Sequence, residues 1–291
     1  NPMEEGINQL RRYANLRNQE EQEGSERLFW YNQIMVSTCR DKARAGTISS
    51  PMAYYLSWHK FHEKPKEVFG HDATHQEILI DTLFHHERFL DIIQNFVLFD
   101  KDEGKIIKKI PRYQQYRAVN KALERLKTGR DRKDRGGVIW HTQGSGKSLT
   151  MAFLATKIRR DPELKDYKMI FITDRTDLHR QLTGSFKEVL DETIIEAKNV
   201  KHFKELLAQD SSDLITGMLQ KFQERELDVF EELNSSEKII VLVDEAHRGH
   251  YKTFGANINT ALPNAPKIAL TGTPLMKDDK TQREFGSYID Q

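Results

Sequence analysis

Apolar positions in the second half of the chain fall into short runs, each followed by a stretch of helical period. Val138–His141, Lys168–Thr173, Asp213–Leu219, Ile239–Asp244 and Lys267–Thr271 read as strands. Helices are expected at Gln114–Leu126, Lys147–Arg160, Asp177–Leu190, Val200–Leu207 and Glu224–Leu233, with Lys127–Arg135 as a polar loop. Short apolar runs between helices mark a parallel sheet covered on both faces. The pattern therefore predicts an α/β fold with right-handed crossovers, and ligands at the carboxyl ends of the strands.

The first part of the chain reads differently. Pro2 suits the first turn of a helix, and Ile7, Leu10 and Ala14 give that helix an apolar stripe. Gln9 and Tyr13, four apart, share one of its faces. Leu28–Thr38 and Ala43–Ile48 read as strands around a Cys39–Lys42 turn. Residues 49 to 110 are mixed; Thr74–Phe99 is helical in pattern, with Phe96–Phe99 as an alternative short strand.

Composition adds limits. The 291 residues are 37% hydrophobic and 31% charged, enough for one large or two ordinary domains with a sizeable core. No apolar window is long enough for a membrane span, and the amino terminus lacks a signal pattern. Cys39 is the single cysteine, which excludes an intrachain disulfide and points to a reducing, cytoplasmic setting. Net charge is +1, yet Lys101–Arg135 holds 13 Lys and Arg against 5 Asp and Glu. Such a block can neutralise nucleic-acid phosphates or serve as a solvated linker face.

The chemistry centres on Gly136–Ser148. A short strand leads into a glycine turn and then a helix opening at Lys147. Gly144 and Gly146 permit backbone angles a side chain would forbid, so that their amides can cradle phosphate. The following helix aims its N-terminal N–H groups at the same anion. Lys147 would reach the β- and γ-phosphates and Ser148 would sit on Mg²⁺. His141 stands where the general pattern has its first glycine.

Asp244-Glu245-Ala246-His247 follows an apolar strand. There Asp244 can contact Mg²⁺ and Glu245 can orient or deprotonate water. Thr271-Gly272-Thr273-Pro274 ends another strand, and its hydroxyls could bond His247. Arg112, Gln114 and Gln115 open a helix, where a glutamine amide can read an adenine edge. Each alone is also an ordinary turn or helix start.

Together these motifs resemble the first RecA-like motor domain of superfamily two helicases and translocases. Gln115, Gly144–Ser148, Asp174–Leu178, Asp244–His247 and Thr271–Pro274 carry the likeness in order. More narrowly, His141–Ser148, Asp244–Arg248, Ala269–Leu275 and Pro111–Tyr116 are similar to the motor (R) subunit of type I restriction enzymes, a DEAH-type translocase. Asn8–Tyr13 resembles the Q-x-x-x-Y helix of that family's PD-(D/E)XK-type nuclease domain, and Tyr31–Gln33 and Ala43–Thr47 continue it.

The resemblance implies that residues 1–60 are the C-terminal part of a nuclease domain, 61–110 a connecting helical segment, and 111–291 the first RecA-like domain. It implies ATP and Mg²⁺, double-stranded DNA, and methyltransferase and specificity subunits as partners. Lys147, Asp244, Glu245 and His247 would be catalytic. Arg112, Gln115, Gly144, Ser145, Gly146, Lys147, Ser148 and Thr273 would bind nucleotide, with Ser148 and Asp244 on the metal and Gln9 and Tyr13 as nuclease accessories. The Asp and Glu-x-Lys cutting set is not found near the start, and no second RecA-like domain follows, so turnover by this stretch alone is expected to be slow or nil. Met218 replaces the Thr that the family's Thr-Ile-Gln-Lys-Phe motif places before Leu219–Phe222. A superfamily two translocase without nuclease activity is the alternative.

Other features read as structural. Six histidines lie between His59 and His86, and His71 with His75 could share a face, without a third ligand. Trp30, Trp58 and Trp140 are expected in the core, and Cys39 as a packed or surface thiol.

Overall fold

The computed structural model describes residues 2–17, 20–58, 65–102, 104–173, 192–218, 230–244, 251–272 and 285–291. The chain divides into two compact units, Asn1–Tyr116 and Arg117–Gln291.

In the first unit, helix α1 (Pro2–Tyr13) is followed by a hairpin of β1 (Met35–Cys39) and β2 (Lys42–Gly46), paired antiparallel. The predicted stripe is what α1 buries: Ile7 and Ala14 join Met3, Met35, Ile48 and Tyr55 in one cluster, with Leu10 packed at its edge. The strand expected from Leu28 begins only at Met35; Glu26–Phe29 is a 3₁₀ turn. Leu28, Trp30 and Tyr31 are exposed, so their β-prone side chains have no sheet face to fill. Trp30 is thus not core, unlike Trp58; the Arg27 guanidinium lies over its ring.

After α2 (Pro65–Phe69), the expected long helix is two: α3 (His75–Leu83) and α4 (His86–Asn95). Thr74 starts α3 with a reciprocal capping box to Glu77. The apolar period runs through the break at Phe84–His85, which hides it. His71, considered as a ligand, contacts Glu77 at 3.3 Å instead. The strand alternative near Phe99 is realised as β3 (Leu98–Asp102), paired with β4 (Lys105–Lys109). Lys108 is buried, with its Nζ donating to the carbonyls of Trp30 and Asn32, and burial lowers its pKa.

Helix α5 (Tyr113–Thr128) leads into the second unit, followed by the short α6 (Arg132–Arg135) within the expected loop. The strands are β5 (Gly137–Trp140), β6 (Lys168–Thr173), β7 (Ile194–Glu196), β8 (Leu214–Met218), β9 (Ile239–Asp244), β10 (Lys267–Thr271) and β11 (Tyr288–Asp290). They form one sheet in the order β11-β5-β10-β9-β6-β8-β7, every pairing parallel. The expected α/β class with a parallel sheet is what the protein has.

Both faces are covered. Ile170 and Ile172 of β6 and Val241 and Val243 of β9 pack with Phe203 and Leu207 of α8 (Val200–Ala208) and Ile258 of α9 (Tyr251–Ala261). Alternate residues of a strand point to opposite faces. Helix α7 (Lys147–Arg160), none of whose residues enters that cluster, packs on β9 and β10 with Met151, Leu154 and Ile158 buried. The predicted helix Asp177–Leu190 lies outside the described residues, as does the start of Glu224–Leu233; residues 230–233 are not helical.

Candidate nucleotide site

Three adjacent strands, β5, β10 and β9, put their carboxyl ends side by side. The register sets Thr271 opposite Trp140 and Leu270 opposite Asp244. The glycine turn after β5, the Thr271-Gly272 turn after β10 and the carboxylate ending β9 therefore share one edge. With strands about 4.8 Å apart, the outer two lie about 10 Å from each other.

The turn has the shape its glycines were expected to allow. Gly144 and Gly146 are left-handed, with φ of +79° and +83°. Gly146 caps α7 at its N-terminus. The Ser145 N–H donates to Thr142 O at 3.1 Å and the Thr150 N–H to Gly146 O at 3.0 Å, closing the turn onto the helix. The space beside Gly144 Cα is open, whereas a Cβ on Gly272 would stand 3.0 Å from Lys147 Nζ. Gly272 is thus a close-approach glycine: its bare Cα lets the lysine lie across the turn.

Lys147 is 9% exposed and Asp244 4%, so both charges at this edge are largely withdrawn from water. Ser148 is half-buried in the first turn of α7. A left-handed glycine turn at a helix N-terminus, with a buried lysine, fits a polyphosphate. A carboxylate and a hydroxyl are hard oxygen donors, which fit Mg²⁺. Among the described residues no cluster of three or more His, Cys, Asp or Glu could hold a metal by protein ligands alone.

The first unit carries the remaining described candidates. Gln115 is buried, and its side-chain carbonyl accepts the Arg112 N–H at 2.8 Å. Gln9 and Tyr13 lie on the exposed side of α1. Glu245, His247, Thr273, the Asp174–Leu178 motif and Leu219–Phe222 lie outside the described residues.

One group of residues had no motif to announce it. Asp290, at the end of β11, is buried; its Oδ2 lies 3.1 Å from His141 Nε2 and accepts from Arg117 Nη2 at 3.0 Å. Its Oδ1 lies 2.8 Å from Arg117 Nε and 3.1 Å from Lys121 Nζ. Burial pushes this carboxyl's pKa up, but the hydrogen bonds from His141 and Arg117 outweigh it and hold the pKa below the ordinary value. The unusual residue of the glycine turn was the available signal, since a buried histidine needs a partner.

A sequence model described as SWI2/SNF2 ATPase matches residues 114–291, from the second residue of α5 through the glycine turn and the whole parallel sheet. The chain belongs to the SWI2/SNF2 ATPase family. Among the curated relatives of this chain is the type I restriction enzyme HindI endonuclease subunit of Haemophilus influenzae, 37% identical over 283 residues, covering 90% of this chain and 27% of that protein. A type I restriction enzyme endonuclease subunit of Staphylococcus aureus is 22% identical over 281 residues, covering 96% of the chain and 28% of that protein. The chain thus spans little more than a quarter of the length of these relatives. Among solved structures, the UvsW helicase from bacteriophage T4 aligns over 85% of this chain and 83% of that one, with 17% identity and a TM-score of 0.45. Among the described residues, no helix is long and apolar enough to cross a membrane.

Proposed function

We propose that this chain is the ATP-binding motor part of a type I restriction subunit, which hydrolyses ATP to translocate duplex DNA that the whole enzyme cuts. The observation that carries the reading is the meeting of three features at adjacent strand ends: the glycine turn with Lys147, the Gly272 turn, and Asp244. The family match and the restriction-subunit relatives support it.

In this reading the turn amides and the α7 N-terminus receive the phosphates, and Lys147 offsets charge developing on the γ-phosphate. Ser148 and Asp244 would hold Mg²⁺. When bound, the ion would draw charge from the phosphate oxygens. Glu245 positions and deprotonates the attacking water, Arg112 and Gln115 recognise adenine, and Thr273 with Thr271 links His247 to the nucleotide. Residues 1–60 form the C-terminal part of the nuclease domain, 61–110 connect it to the motor, and Gln9 and Tyr13 assist cleavage. Duplex DNA, methyltransferase and specificity subunits are the partners, in the cytoplasm.

Glu245→Gln tests the division of labour. In a full-length protein carrying this chain it is expected to keep ATP binding and lose hydrolysis by at least about 10²-fold. Equal loss of binding and hydrolysis would assign Glu245 a structural part and contradict the scheme.

A further inference from the structure

Resting on the ATP reading above, we propose that Asp290 is a positioning residue for the phosphate turn, acting through His141. His141 is the first residue of the turn, 5% exposed, and its N–H donates to Thr271 O at 3.1 Å. An ionised carboxylate only accepts hydrogen bonds, so the Nε2 that meets Asp290 Oδ2 carries the proton. The ring orientation is thereby set, and its Nδ1 is buried with no hydrogen-bond partner among the described residues.

The carboxylate is itself held in place. Its strand pairs with β5, the strand that feeds the turn, with Tyr288 opposite Val138 and Asp290 opposite Ile139 across a bulge. Arg125 ties the two strands from below, donating to Gly136 O at 3.0 Å and to Ser287 O at 2.9 Å. Arg117 makes a directed hydrogen bond from Nη2, while its Nε contact is an ion-pair distance only. Lys121 is half-exposed, so water screens its share. Among the described residues, His141 from the turn and Arg117 and Lys121 from α5 are the titratable and charged groups that meet this carboxylate.

An ordinary surface ion pair would not be built this way. Burying a carboxylate is costly unless it is fully engaged, and here both oxygens are engaged and one of them fixes a turn residue. A turn displaced at its first residue also displaces the amides that follow, and small misplacements at a phosphate site cost binding and rate. The strand after the Gly272 turn and the nucleotide cradle are in this way mechanically joined.

The test uses the chain itself and a fluorescent ATP analogue with Mg²⁺, titrated against wild type and variants shown folded by circular dichroism. A glutamine at 141 can carry its amide N–H to where Nε2 stands, and an asparagine cannot. Asp290→Asn and His141→Asn are expected to weaken binding about tenfold, the double variant no further, and His141→Gln by less than about threefold. Single effects that multiply in the double variant, or Asp290→Asn binding as wild type does, would overturn the proposal. If Asp290→Asn does not fold, the comparison of His141→Asn with His141→Gln decides, and equal affinities sink it. Wild-type affinity no better than that of Lys147→Ala would instead remove the ATP reading, and the proposal with it.

Discussion

At the scale of single residues, the edge where β5, β10 and β9 end depends on atoms that are missing as much as on those present. Gly146 holds φ +83° at the head of α7, a conformation that costs an L-residue about 1–2 kcal/mol. Gly146→Ala should therefore lower unfolding free energy by about that amount in a denaturant titration. Asp290 gives a pH prediction. Its folded pKa is lowered despite burial, through His141 and Arg117. Its contribution is present above the ordinary Asp pKa of about 3.9 and is lost as pH falls through the folded value. The Tm difference between wild type and Asp290→Asn should be largest near neutrality and shrink as pH falls below about 4; a difference that grows on acidification would contradict it. The left-handed glycine turn, the helix opening at Lys147 and the strand ending at Asp244 were legible from glycine placement and apolar runs. Asp290 was not, because a lone acid has no spacing to read.

At the scale of elements, legibility followed burial. β6, β9, β10 and α7 have the predicted bounds, since strands covered on both faces are continuous apolar runs and α7 opens directly from the glycine turn. β7 and β11 are three residues each at the two edges of the sheet, too short to show a period. Helix α9 was missed as well; its run Tyr251–Ala261 mixes Gly255, Asn257 and Asn259 among apolar residues and reads as loop. Trp30 and its neighbours misled through composition, because β-propensity describes fit to a half-buried sheet that is not there. Lys168 begins β6, yet it is 1% exposed and donates to the carbonyls of Leu206, at 2.8 Å, and Gln209, closing the C-terminal end of α8. Burial lowers its pKa, with Asp213 and Asp210 opposing. Lys168→Met keeps much of the volume but strips those acceptors of their donor. It should cost about 1–3 kcal/mol, read by thermal or chemical unfolding.

At the scale of the molecule, the charge pattern changes meaning. Much of the basic block serves internal bonds in the second unit. Lys127 pairs with Asp161 and Glu163, Arg132 donates to Pro263 O, and Arg135 donates to Leu126 O and lies over Tyr167. Composition could not separate this fastening role from phosphate neutralisation, because both need the same side chains. The two units also explain the two sequence textures: a mixed first part around its own cluster, and a second part alternating strand and helix. What joins the scales is the edge where β5, β10 and β9 end, since every proposed step of the motor begins with phosphates received there. The most direct test is DNA-stimulated ATP hydrolysis by a full-length protein carrying this chain, compared with its Lys147→Ala variant. The account predicts a loss of at least about 10²-fold with the fold intact. Turnover that survives the substitution would contradict the assignment of the glycine turn as the phosphate site.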